Sequence, residues 1–185
     1  MGIFKPQIYG AVIAELLAEA RVMPLDAGTA NSTVTDRLSV MKAEDLFADG
    51  TVTNDDMAEA CLSGLWLYHD DIFRSHSLSQ GIGTREGSYW HGIMHRREND
   101  FWNANYWFHR VPTHPIHEIL GENAKTIAAE MGSGAFENGP WDPFAFVDLC
   151  ERAVSGDKSL SDLCRAVQMR EWELLFDYCY ARVVT

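Results

Sequence analysis

His91, His95 and Glu98 stand four and seven residues apart, a spacing that places all three on one face of an α-helix. Two imidazoles and a carboxylate on one face are the donor set of a catalytic transition-metal site, with three protein ligands and an open position. The same residues can act without a metal. A histidine titrates near neutrality and a carboxyl in apolar surroundings is pushed upward, so His95 and Glu98 form the candidate acid–base pair. The spacing alone is unspecific, and no HExxH sequence accompanies it. The competing account is a buried His/Glu network that only stabilises packing.

Other residues join this centre. His69 and His76 lie on the same stripe as Leu65 and Ile72 of the preceding helical segment, so both are expected to face His91 and His95 as further metal ligands or their hydrogen-bond partners. The segment 87–111 also holds three of the six tryptophans. Trp90, Trp102, Asn103, Asn105 and Tyr106 offer stacking platforms and amide donors, and Arg96 and Arg97 offer guanidinium forks for a carboxylate or phosphate. That lining suits a small polar ligand, sugar-like or anionic. His114 and His117 with Glu118 are candidates for the rim. A divalent transition metal is the cofactor these residues suggest. A third account is non-enzymatic, a helical module whose Trp, Tyr, Met and Arg surface forms a homo-oligomer.

The elements that must position these groups read as helices throughout, with no run of period-two alternation. Amphipathic spacing predicts helices over 6–20, 41–48 (stopped at Asp49-Gly50), 54–77, 115–131, 143–155 and 159–182, with 21–36 as a loop. The segment 88–110 reads either as one helix or as two, with Asn99-Asp100 ending the first and capping the second. The latter separates His109 from the first three residues. Glu171 falls on the inward face of the last helix. The expected architecture is all-α, a single-domain bundle of six or seven helices spanning 1–185.

Composition narrows the function classes. A formal net charge of −12 repels phosphate backbones and anionic lipid, which argues against nucleic-acid and membrane-surface roles. No window approaches the ~20 apolar residues of a membrane span. The run IYGAVIAELLAEA carries Glu15 and Glu19 and reads as a helix rather than a signal peptide. Cys61, Cys150, Cys164 and Cys179 form no CxxC pair and sit among apolar neighbours, as reduced core residues of a cytoplasmic protein do.

Tyr89–Val111, YWHGIMHRRENDFWNANYWFHRV, followed by His114–Ile116, resembles the signature of a family of uncharacterised proteins whose members typically read YWHGIMHRREGDFxNAxYWFRRVG-HP. The likeness covers about 25 consecutive residues, with weaker similarity around 60–80 and 140–180. Trp102 fills an open position of the pattern, and His109 stands where arginine is common. The resemblance implies no catalytic assignment.

Overall fold

The computed structural model describes residues 4–47 and 50–184. Among them there are no strands and nine α-helices. These are α1 (Gly10–Leu16), α2 (Ser32–Leu38), α3 (Asp55–Tyr68), α4 (Ile72–Ser79), α5 (Arg85–Arg97), α6 (Phe101–Phe108), α7 (Ile116–Glu130), α8 (Pro143–Val154) and α9 (Lys158–Tyr180). Single 3-10 turns at Pro6–Tyr9 and Ala43–Phe47 stand where the start of the first helix and the 41–48 helix were expected. Of the expected stop at Asp49-Gly50, Asp49 lies outside the described residues.

Nine helices rather than six or seven follow from local breaks. The stretch expected as one helix over 54–77 divides at His69–Asp71, because Asp70 adopts a left-handed φ of 63°. Asp71 then accepts a hydrogen bond from the Arg74 amide as the N-cap of α4. The segment 88–110 takes the two-helix course. Asn99 has φ 60° and the Asp100 carboxylate caps α6 through the Asn103 amide at 3.2 Å. Asp and Asn are among the few non-glycine residues that enter this region at modest cost. At the N-terminus, Gly10 at φ 83° separates the 3-10 turn from α1, and Ser32 opens α2 inside the segment expected as a loop.

The corner at Asp70 is held by charge. Arg97 is fully buried and its Nη2 lies 2.5 Å from Asp70 Oδ1, while Nη1 donates to the Leu67 carbonyl at 2.7 Å. Arg21 reaches the other Asp70 oxygen at 2.5 Å. One carboxylate thereby ties the N-terminal loop, the α3–α4 corner and the end of α5 together. A second internal pair joins Arg96 of α5 to Glu171 of α9 at 2.5 Å, with the guanidinium carbon 4.5 Å from the Phe146 ring centre. Buried charges persist only when paired in this way.

α9 packs on α3, α7 and α8, and α5 packs on α3, α4 and α6. One apolar cluster gathers Trp66, Tyr68, Trp90, Trp172 and Phe176 between α3, α5 and α9. A second gathers Leu120, Phe146, Cys150, Cys164 and Val167 between α7, α8 and α9. All four cysteines are free and buried. Glycine lets the site helices close up: a Cβ on Gly92 would stand 3.0–3.1 Å from the Phe108 ring, so α5 and α6 approach nearly backbone to ring.

Candidate metal centre

α4 supplies His76 and Ser79, and α5 supplies His91 and His95 one turn apart. The short 80–84 turn and the Thr84 N-cap, which accepts from the Gly87 amide at 3.3 Å, fold α5 back along α4. His76 then meets the other two. Ring centres are 4.6 Å apart for His76–His91, 4.7 Å for His91–His95 and 5.4 Å for His76–His95. One ligand atom from each of the three lies within 4.8 Å of the others. His91 and His95 are buried and His76 is half-buried. Trp107 of α6 closes one side, its ring 4.1 Å from that of His91.

Hydrogen bonding decides which nitrogens are free. Ser79 Oγ lies 2.7 Å from the Ser75 carbonyl and 2.8 Å from His91 Nδ1. The hydroxyl has one proton, and the carbonyl can only accept it, so at His91 the oxygen accepts and Nδ1 carries the hydrogen. The lone pair of His91 is therefore on Nε2. His95 Nδ1 is 3.3 Å from Glu98 Oε2 and 3.9 Å from Asp100 Oδ2. The Glu98 approach falls outside good hydrogen-bond geometry, so Nδ1 is a buried nitrogen beside carboxylates without a formed bond. Two nearby acceptors still favour the tautomer with the proton on Nδ1.

Burial favours the neutral forms of His91 and His95. Burial, reinforced by the charges His95 and His76 would carry, pushes His91 down to about 3. Burial also lowers His95, against the opposing pull of Glu98 and Asp100. Slight burial opposes ionisation of Asp100, but the side chain and amide of Asn103 hold its carboxyl below the usual range. Neutral imidazoles with outward lone pairs are what a metal needs and what a proton-driven switch lacks. A tetrahedral ion about 2.0–2.1 Å from each nitrogen requires them about 3.3 Å apart. With the donors within 4.8 Å of one another, no pair need close by more than about 1.5 Å, a movement within reach of side-chain rotation at half-buried His76. A wholly imidazole set suits zinc, copper, nickel or cobalt and disfavours magnesium and calcium.

The remaining expected residues scatter. Glu98 caps the C-terminus of α5 and stands on the Nδ1 side of His95, outside the three-histidine group. His69 ends α3 with Nε2 2.9 Å from the Leu16 carbonyl, and burial pushes it down to about 4. It is a core histidine remote in function from the other three. Trp90 is fully buried against Trp172 and Gly64. The guanidinium groups of Arg96 and Arg97 are committed to Glu171 and Asp70, so neither fork is presented to a ligand. Asn103 donates to Asp100 Oδ2 at 2.7 Å. Asn105 is half-buried, with an Oδ1 that has no partner. Trp102, 76% exposed, stacks on Tyr106 with 13° between the rings.

His109 is exposed beside Phe144, and His114 is buried with Nε2 3.4 Å from Glu86 Oε1. His114 Nδ1 accepts from the Ile116 amide at 3.3 Å, so this pair pins the 109–115 loop to α5. His117 has a buried Nε2 without a partner, and burial with His114 nearby pushes it down to about 4. Ser79 carries no sequence signal of its own. Its role depends on the turn that folds α5 back, and only the spacing of three residues after His76 hints at it.

No protein family, no curated protein and no solved structure matches this chain.

Proposed function

We propose that the protein binds one divalent transition metal through His76, His91 and His95 and uses its open position for metal-assisted chemistry on a small polar substrate. The observation that supports this is the convergence of three imidazole donors with the His91 proton held on Nδ1 by Ser79. Three neutral ligands leave the ion its full double charge. Such a site polarises a carbonyl or phosphoryl oxygen and lowers the pKa of bound water toward ~7. Hydrolysis of a small anionic or sugar-like substrate is the reaction class that fits. In this reading His95 is a ligand, and Glu98 positions it and accepts protons at the solvent side.

The test is the metal content of untagged protein purified without chelator, followed by Co(II) titration read in the visible spectrum. About one equivalent of metal and tetrahedral cobalt absorption are expected, both lost in His91→Ala/His95→Ala. A wild-type protein that takes up neither metal removes the proposal and leaves the three histidines as a packing network.

A further inference from the structure

A cleft of about 650 Å³ opens between α7, α8 and the 131–142 loop, within the ~300–1,000 Å³ usual for small-molecule sites. None of the seven histidines lines it. Its walls are mainly apolar, with Phe136, Trp141, Leu149 and Leu160, and two cations stand at its margin, Lys125 from α7 and Arg152 from α8. One carboxylate, Asp142, also lines it, and its Oδ1 is engaged as the N-cap of α8 by the Phe144 amide at 2.9 Å.

Three observations separate this cleft from an ordinary surface groove. Phe136 has φ 67°, one of three non-glycine residues with positive φ among those described. The other two are Asp70 and Asn99, types that tolerate it, whereas a bulky aromatic does not. Phe136 is held there by its neighbours, stacked on Trp141 at 5.9 Å and 19° and touching Phe146 at 6.0 Å. Strain of this kind persists where surroundings impose it, and it gathers at ligand clamps. Second, α7 carries a glycine under the loop. A Cβ on Gly121 would stand 3.2 Å from the Trp141 amide nitrogen, so the floor of the cleft is built by close approach. Third, cations are scarce here, 15 Lys and Arg against 27 acids, and Arg21, Arg96 and Arg97 are consumed internally. Lys125 and Arg152 are paired only with the exposed carboxylates Glu122 at 3.1 Å and Asp157 at 3.6 Å. Exposed pairs contribute little and exchange readily for another carboxylate.

We infer that this cleft binds a small amphipathic carboxylate, its aryl or acyl chain against Phe136, Trp141 and Leu149 and its charge between Lys125 and Arg152. The inference is independent of the metal centre. Isothermal titration of the full chain with decanoate and 4-phenylbutyrate tests it, with decanamide as the uncharged control. Dissociation constants of roughly 10–500 μM are expected for the carboxylates, with decanamide about tenfold weaker. Lys125→Ala/Arg152→Ala is expected to abolish that preference. Ala145→Trp, a substitution at an exposed α8 position lining the cleft, is expected to block binding while leaving thermal stability and cobalt uptake unchanged. No saturation by millimolar ligand, equal binding of decanamide, or undiminished binding in a folded Ala145→Trp protein overturns the inference.

Discussion

At the scale of single residues, the centre depends less on the three histidines than on what orients them. Ser79 fixes the tautomer of His91 by accepting at 2.8 Å while donating to Ser75. Ser79→Ala is therefore expected to weaken metal binding about 10–100-fold, the usual effect of losing a ligand's orienting partner. Competition with a chromophoric chelator measures this, and a melting temperature close to wild type shows that the loss is local. Unchanged affinity would mean that Ser79 plays no part in holding His91. Glu98→Gln, which removes the charge beside His95 Nδ1, is expected to act in the same direction with a smaller effect. His91 and His95 were legible in the sequence because a four-residue spacing fixes a shared helical face whatever surrounds it. His76 was legible by its stripe. His69 shares that stripe, yet the left-handed turn at Asp70 lies between the two and sends them to different places. Arg96 and Arg97 illustrate a further limit, since one sequence cannot show which acids of distant helices will claim a guanidinium.

At the scale of elements, two corners shape the site, and each is made by a short polar residue in the left-handed region followed by an aspartate cap. The Asp70 corner also bears the charge of Arg97. Asp70→Asn preserves the tolerance for positive φ and the side-chain shape but leaves a buried guanidinium without its counter-charge. A loss of about 3–5 kcal/mol is expected, read from urea denaturation. A loss below ~1 kcal/mol would mean that the Leu67, Asp26 and Ala27 carbonyls satisfy Arg97 unaided. Helix periodicity located most of the long elements to within a few residues, because a buried face imposes it. The Asp70 corner escaped because an aspartate inside a helical pattern is common and only its conformation distinguishes a break. For 88–110 the Asn99-Asp100 alternative was visible, since a capping residue two positions before Trp102 has a recognised signature.

At the scale of the whole molecule, burying neutral histidines sets the response to acid. His69 is fully buried and held near 4, against about 6.5 in an unfolded chain. Between those values the unfolded chain binds more protons, so stability rises with pH there and falls as pH drops from 6.5 toward 4. The loss expected from His69 is about 3 kcal/mol across that window. His69→Gln, which can still donate to the Leu16 carbonyl, should flatten the stability–pH curve of metal-free protein. An unchanged slope would show that His69 does not set it. Glu86 adds a second window. Burial opposes its ionisation, yet the adjacent His114 ring, with its own amide and the Thr84 side chain, holds it down to about 2, so its contribution is present above 4.5 and lost on further acidification. The position of the three histidines proposed as metal ligands also bears on events during synthesis. They fall between positions 76 and 95, whereas the Glu171 that neutralises Arg96 arrives with the last helix. A nascent chain that has emerged past α6 already carries every proposed metal donor, but its Arg96 still lacks its counter-charge. If the proposed centre holds an ion, all of its ligands leave the ribosome before the last helix that completes the core.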